Sequence, residues 1–355
     1  MWSGGISSAW TSGTFIGIVL WTTVAIVFVV LYLAAAAFAM RIRNVVRSRR
    51  YTSLEVTWEP VLLDVIDGSE PAATLHAAVA KRSIRHFLKF LVRYARLLTG
   101  SDRANVVEIA AEYLPVMIQD LSAHRPATRA LAVQTLATLG MESYGATIAR
   151  ALDDKSPLVS MVAARTLSAS RRPEYVNDVL ANLHRYGSWN GRFLASMLAS
   201  MGPEVAPSLR AYLYADGDPL DRSVAADALS LLTDPAAGDV ATAVLNTAPH
   251  RELAAASLRL LRSVGSPEHL PTVRDYGRSR DFVLRALAMR VLGSIGEAAD
   301  MVLLEKGMMD PEPWVAINSA EAMLEAGGHH RLHDIAESEL PQASLAREVM
   351  MEEVA

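Results

Sequence analysis

The feature that most constrains the fold of this chain is a residue pattern that recurs every 31 positions between residues 123 and 330. One column holds Leu, or Met in the last copy, with a single step of 32: Leu136, Leu167, Leu198, Leu229, Leu261, Leu292 and Met323. A column four residues earlier is rich in Ala and Ser: Ala132, Ala163, Leu194, Ala225, Ser257, Ala288 and Ser319. Residues four apart share a helix face, so the pattern predicts one helix per repeat with both columns on its buried side.

The ends of the predicted helix also carry recurring residues. Proline, which suits a first helical turn because the missing amide has no helical partner there, stands ten residues before the Leu column at Pro126, Pro157, Pro219 and Pro313. Four residues after the Leu column stand Gly140, Arg171, Gly202, Thr233, Gly265, Gly296 and Gly327, and the glycines predict left-handed helix ends. A second helix completes each unit. Such a hairpin cannot bury its apolar face alone, so stacked copies must supply the core.

These repeats resemble the HEAT family, especially its short bacterial form, which is also seen in phycobilisome-lyase-like repeats. The resemblance covers residues 123–330, about seven units, and implies an all-α fold with a right-handed α-solenoid of helical hairpins. Family members carry Asp in the turn between helices and Arg six residues later, and the two can form a ladder along the stack. Only Asp216 and Arg222 match the full pair, while Asp154 and Asp310 keep the acid and Arg129 and Arg285 keep the base.

The first forty residues contain no charged side chain and no His. Residues 15–40 would span about 39 Å as a helix, more than the bilayer hydrocarbon core of about 30 Å, which predicts a transmembrane helix. A cleaved signal peptide is the alternative, since Ala37 and Ala39 fit a cleavage site, but such a peptide has basic residues before its apolar stretch. Here the basic residues all follow it: Arg41, Arg43, Arg47, Arg49 and Arg50.

The positive-inside rule then orients the chain. Residues 1–14 become a short extracytoplasmic tail, residues 41–50 a basic juxtamembrane segment at the membrane surface, and the remainder cytoplasmic, at a bacterial inner membrane. The net charge is +6 up to residue 103 and −10 beyond it, which fits a basic end near the membrane. Residues 331–355 read as an acidic C-terminal helix or cap.

Residues 51–122 predict a helical adaptor without the 31-residue pattern. We expect a short helix from Trp58 to Gly68 and a long one from Pro71 to Thr99. The long helix is amphipathic and basic, with Ile84, Phe87, Leu88 and Leu91 opposite a face that carries Arg82, Arg85, His86, Lys89, Arg93 and Arg96. That face is either a solvated surface or a contact with anionic lipid headgroups.

Composition excludes several function classes. The chain has no cysteine, which excludes a disulfide scaffold, a zinc-thiolate site and a cysteine nucleophile. Its pI of about 6.2 argues against a general nucleic-acid binder. No nucleotide-binding loop, nucleophile elbow or zinc-protease motif occurs, so we expect no catalytic residue, cofactor or metal. Aromatic residues concentrate in the third and fourth repeats, at Tyr186, Trp189, Tyr212 and Tyr214. They are either core residues or candidates for contact with a protein partner.

The sequence therefore predicts a non-enzymatic, membrane-anchored scaffold that binds proteins. The order of anchor, adaptor and repeats also resembles membrane-anchored HEAT proteins that accompany polysaccharide-synthesising glycosyltransferases, which implies an accessory role beside such an enzyme. Two alternatives stay open: a subunit of a membrane transport or signalling complex, and a bilin-lyase-like enzyme suggested by the repeat type.

Overall fold

A computed structural model describes residues 8–354, with side chains described for residues 20–41 and 51–351. In that part of the chain every regular element is a helix, which confirms the all-α prediction. The chain divides into two compact units, with the boundary in sequence between Tyr113 and Leu114. Residues 1–7 of the predicted tail, and the side chains of Arg43, Arg47, Arg49 and Arg50, lie outside the described residues.

The first unit is dominated by one long helix. Its four helices are α1 (Ser8–Ile66), α2 (Ala72–Ala78), α3 (Ile84–Leu97) and α4 (Gly100–Ala111), with a 3₁₀ turn at Lys81–Ser83. Within α1 the segment Leu20–Arg41 has a mean hydropathy of 2.5 and is not buried, so it is long and apolar enough to cross a membrane. A signal sequence would have the same length and composition.

The adaptor helices differ from those expected. Trp58 does not begin a helix, because α1 continues through it and through Pro60 to Ile66. The stretch from Pro71 to Thr99 is broken in two, since residues 79 and 80 are extended and the indole Nε1 of Trp58 donates to the carbonyl of Ala78 at 3.3 Å. Trp58 is fully buried and makes edge contacts with Phe87 and Phe90 of α3. This aromatic core fixes α3 against α1.

The second unit is a stack of helical hairpins. Its helices are α5 (Pro115–Asp120), α6 (Pro126–Arg150), α7 (Pro157–Ala169), α8 (Val176–Ala181), α9 (Gly191–Ala199), α10 (Ala206–Tyr214), α11 (Pro219–Leu232), α12 (Ala237–Leu245), α13 (Arg251–Val264), α14 (Leu270–Tyr276), α15 (Phe282–Ile295), α16 (Met301–Gly307), α17 (Pro313–Glu325), α18 (His329–Glu337) and α19 (Ala343–Val354). Helix α6 contains both helices of its hairpin, joined at a kink where Gly140 leaves the helical conformation.

Both columns lie in the core, as the repeat pattern predicts. We call the helices that carry them the column helices: the first half of α6, then α7, α9, α11, α13, α15 and α17, each in contact with the next. All seven residues of the Leu column are 0% exposed, and no residue of the small column exceeds 3%. The four prolines begin α6, α7, α11 and α17. The seams between repeats are therefore built from side chains that the sequence identifies.

The prediction for the helix ends is only partly correct. Gly202 and Gly327 have positive φ, but so do Arg171 and Thr233, which are not glycines. Gly265 and Gly296 instead have φ near −67°, in the extended region. There a Cβ would lie 2.4 or 2.2 Å from the carbonyl oxygen four residues earlier, so close approach of the backbone rather than handedness explains these two glycines.

Bidentate Arg–Asp pairs tie successive repeats together. The Nε and Nη2 atoms of Arg129 donate to the two carboxylate oxygens of Asp154, both at 2.7 Å. Arg285 binds Asp310 in the same way, at 2.8 Å for both bonds. In each case the Arg also donates to two carbonyls of its own turn, and the Asp accepts a backbone N–H two residues on. We call these two interactions the rungs.

The rungs form at the positions that look incomplete in sequence. Each joins an Arg to an Asp 25 residues later, in the next repeat. The residue 25 positions after Arg222 is Thr247, so Arg222 has no rung partner and its Nε donates to the carbonyl of Leu213 at 3.0 Å. Asp216, which completes the sequence pair with Arg222, is exposed. The ladder therefore depends on pairing between repeats, and a full Asp–Arg pair within one repeat does not indicate a rung.

Replacing one column residue tests the seams. Leu229→Ala leaves a cavity between α11 and its neighbours, and we expect it to lower the free energy of unfolding by about 2–5 kcal/mol. Leu231, on the same helix, is 59% exposed, so Leu231→Ala should change it by less than about 0.5 kcal/mol. Urea unfolding of both variants measures the difference. Equal effects of the two substitutions would contradict the buried seam.

The rungs predict a specific acid sensitivity. Hydrogen bonds from Arg285 lower the pKa of the Asp310 carboxyl, and Arg129 does the same for Asp154. A carboxyl whose pKa is lower in the folded state stabilises the fold above the unfolded pKa of about 3.9 and loses this contribution as the pH falls through the folded pKa. Asp310→Asn should therefore lower the melting temperature at pH 7 and reduce its further fall on acidification to pH 3. The control Asp334→Asn, at an exposed position of α18, should leave the pH profile unchanged.

Candidate partner-binding surface

One group of side chains in the described part of the chain has the composition of a metal site. Asp239, Glu268 and His269 place their ligand atoms within 4.8 Å of one another. The Nδ1 atom of His269 accepts the backbone N–H of Ser266 at 2.9 Å, so the neutral ring carries its proton on Nε2. That atom lies 3.2 Å from the carboxylate of Asp239 and donates to it, which leaves no ring lone pair for a metal. The buried His269 ring is a structural link between two repeats.

A row of exposed apolar side chains follows the column helices. They stand in or next to the first helical turn, nine or ten residues before the Leu column: Leu158, Trp189, Leu220, Phe282 and Trp314, between 39% and 54% exposed. Equivalent positions of stacked repeats line up along a solenoid, so these side chains form a row. The fifth repeat interrupts it with the exposed Glu252. An apolar row that recurs by repeat and faces solvent is typical of a surface that contacts another protein.

Further exposed aromatic side chains accompany the row in the third and fourth repeats. The rings of Trp189 and Phe193 stack with their centroids 6.0 Å apart, and both side chains are about 40% exposed. Tyr214, at the end of α10, is 66% exposed, and Tyr212 is half-buried. Leu220 begins α11, which packs against both α9 and α10. We call these five residues the aromatic patch, which combines anchor-type side chains with two phenolic hydroxyls.

Carboxylates lie beside the aromatic patch. Asp218 caps α11 by accepting the backbone N–H of Leu220 at 2.8 Å. Burial and the neighbouring Asp218 raise the pKa of the Asp221 carboxyl, and burial followed by the charges of Asp221 and Asp218 raises the pKa of Tyr212. Asp216 is exposed in the same turn. The patch therefore has an acidic edge in the fourth repeat.

Tyr186 does not belong to this surface. Its side chain is 0% exposed, and its hydroxyl shares a 2.6 Å hydrogen bond with Ser160 of α7. Burial raises the pKa of the Tyr186 hydroxyl. The 3₁₀ turn at Leu183–Tyr186 directs the ring into the seam between two repeats, where Ser160 satisfies its hydroxyl. Tyr186 is a core residue, which removes it from the predicted partner contacts.

Sequence reasoning found Trp189, Tyr212 and Tyr214 but missed Phe193 and the rest of the row. The signal was available in the repeat register, since six of the seven residues nine positions before the Leu column are apolar: Ala127, Leu158, Trp189, Leu220, Val283 and Trp314. An apolar residue at the start of a helix is taken as core by default, and only the structure shows that this position is exposed in most repeats, while in the sixth Val283 is half-buried and the preceding Phe282 is exposed.

The basic candidates all lie in the first unit, and those whose side chains the structure describes are exposed. Arg41 ends the apolar segment of α1, and on and beside α3 the exposed cations are Arg82, Arg85, Lys89, Arg93 and Arg96. Arg93 donates to Glu55 of α1 at 3.0 Å, so it also holds α3 in place. The opposite face of α3 is buried at Phe87, Leu88 and Leu91. The amphipathic character expected for this helix is confirmed for α3, while Arg82 belongs to the preceding 3₁₀ turn.

Comparison with known proteins supports the repeat assignment. A model of the HEAT-repeat family, described as HEAT repeats, matches residues 238–325. No curated protein matches the chain. Among solved structures, the karyopherin Kap121p bound to Pho4p is 14% identical with a TM-score of 0.46, over 76% of this chain and 37% of that one. Kap121p bound to the C-terminus of the protein phosphatase Cdc14p is 15% identical with a TM-score of 0.44, over 74% and 36%. The chain thus spans little more than a third of the length of these proteins.

The family match covers the fifth to seventh column helices and the hairpins between them. The same columns, first-turn prolines and buried seams extend back to Pro126. Residues 238–325 match the HEAT-repeat family model, which confirms for this segment the resemblance to the HEAT family that its columns indicate.

Proposed function

We propose that this protein is a membrane-anchored HEAT-repeat scaffold that binds a protein partner through the apolar row, with the aromatic patch as its centre. The observation that carries this proposal is the exposure of large apolar side chains nine or ten residues before the Leu column in five of the seven repeats, whereas the Leu column is 0% exposed and the small column at most 3% exposed. Exposed Trp, Tyr and Phe side chains are those most enriched at the centres of protein interfaces.

The apolar segment of α1 supports the anchor. Residues Leu20–Arg41 expose large apolar side chains along their length, including Trp21, Phe28 and Phe38 at 65–74%. Such a surface is unfavourable in water and favourable in a lipid bilayer. The basic residues that follow it orient the adaptor and the repeats to the cytoplasmic side of a bacterial inner membrane.

A membrane-bound partner suits a scaffold held at the same surface. We propose a glycosyltransferase of polysaccharide synthesis as the partner class, because the order of anchor, adaptor and repeats resembles that of proteins that accompany such enzymes. The HEAT segment supports a binding role in general, and HEAT folds are typically non-catalytic scaffolds.

The proposal is tested by crosslinking the full chain in membranes and recovering it in detergent. Trp189→Ala combined with Tyr214→Ala should reduce recovery of the crosslinked partner about tenfold or more, because each substitution removes an exposed aromatic side chain. The matched control Leu340→Ala replaces an apolar residue that is 50% exposed outside the row and should leave recovery unchanged.

Circular dichroism of each variant checks that the repeats stay folded. Recovery of the same partner with the patch variant and the wild type would refute the aromatic patch as the contact. Mass spectrometry of the recovered band identifies whether the partner is a glycosyltransferase.

A further inference from the structure

Helix α1 connects the apolar segment to the folded part of the first unit without a break. It runs as one helix from Ser8 to Ile66, so the residues after Arg41 continue the same axis. At 1.5 Å per residue, Tyr51 lies about 15 Å beyond Arg41, and Glu59 lies about 27 Å beyond it. Contacts with α1 therefore measure how far any part of the first unit stands from the end of the apolar segment.

Helices α2 and α3 run in opposite directions along this axis. Helix α2 returns from the far end of α1, and its last carbonyl, at Ala78, meets Trp58. Helix α3 then leads away again, since His86 stacks on Tyr51 with ring centroids 4.0 Å apart and the Tyr94 hydroxyl donates to Glu59 at 2.6 Å. The turn between the two helices, residues 79–83, and the first turn of α3 thus form the end of this unit nearest to Arg41.

That end is strongly basic. Lys81, Arg82 and Arg85 are exposed there, and the N-terminus of α3 adds the positive end of its dipole without a side-chain cap from Ser83. The acidic residues of α1 begin only at Glu55, which is engaged by His86 and Arg93. We call residues 79–86 the basic tip.

Distance separates the basic tip from the rest of the basic face. A bilayer adds about 5–7 Å of headgroups to each side of its hydrocarbon core, and charges interact over a Debye length of about 8 Å. Groups about 15 Å beyond Arg41 fall within this range, whereas Arg96, which lies beyond Tyr94, falls outside it.

We propose that the basic tip contacts anionic lipid headgroups and so fixes the height of the first unit above the membrane. This proposal rests on the membrane anchor of the proposed function. It narrows the lipid contact expected from the sequence to the tip and assigns Arg93 a packing role through Glu55. Each basic residue near an anionic surface changes affinity about fivefold, so two or three together determine the position of the unit.

The test uses the full chain in lipid nanodiscs and single cysteine labels, which are selective because the natural chain has no cysteine. A donor dye is placed at Ala80→Cys in the tip or at Leu97→Cys at the far end of α3, both at exposed positions. Energy transfer to acceptor-labelled headgroups is measured in discs of phosphatidylcholine alone and in discs that also contain phosphatidylglycerol.

We expect stronger transfer from position 80 than from position 97, and a further increase at position 80 when phosphatidylglycerol is present. Lys81→Glu with Arg82→Glu should abolish that increase. The matched reversal of Arg96→Glu with Arg103→Glu should retain it, because Arg103 is an exposed residue of α4 close to Asn105, whose side chain donates to the carbonyl of Ile66 at the far end of α1 at 3.4 Å. High salt should abolish it as well, because it shortens the Debye length.

Three outcomes overturn the inference. Transfer that is indifferent to phosphatidylglycerol would exclude the lipid contact, as would equal effects of the two charge reversals. Loss of the increase with inorganic phosphate, but not with chloride of the same ionic strength, would indicate a site for a free anion instead. A chain that enters neither kind of disc would contradict the membrane anchor itself, an outcome distinct from the other three.

Discussion

The burial of the seams between column helices is the constraint on which the second unit depends. In a single hairpin the residue of the Leu column would be exposed, and only the next hairpin can cover it. The 0% exposure of the Leu column is therefore a property of neighbouring repeats and not of any one of them. Small residues four positions earlier let the helices approach closely enough for those Leu side chains to meet. The rungs add direction, since each links an Arg to the Asp of the following repeat. Packing and pairing together define where every first helical turn stands, and hence where the apolar row lies.

Residue spacing made the fold predictable to a large extent, because both columns and the first-turn prolines are local signals with a single physical meaning. The helix ends were less predictable. Arg171 and Thr233 adopt positive φ without being glycine, while Gly265 is required by a close backbone contact. The conformation of a helix end depends on how the next helix must leave, and that direction is a tertiary property. The same reason explains why α1 continues through Trp58, whose ring is buried by helices far along the sequence.

The candidate surface was predictable only in part. Aromatic concentration identified the right repeats but included Tyr186, whose hydroxyl is satisfied inside a seam. The path of one short turn decides whether such a ring is buried or exposed, and the residue columns of the sequence contain no information about that path. Conversely, the apolar residues of the row recur visibly in the sequence, but the sequence does not show that they are exposed. An apolar residue beside a first-turn proline looks the same in sequence as a core residue.

The continuity of α1 has a mechanical consequence. A helix that continues unbroken from the end of its apolar segment to Glu59, just before Pro60, behaves as a rigid lever, and Glu59 lies about 27 Å beyond Arg41. In the membrane-anchored scaffold proposed above, a change of about ten degrees in the inclination of the apolar segment, such as a thinner bilayer imposes, would carry Glu59 sideways by roughly 5 Å. Because α2, α3 and α4 are packed on α1, the proposed anchor would convert a change in bilayer thickness into lateral displacement of the helices packed on it.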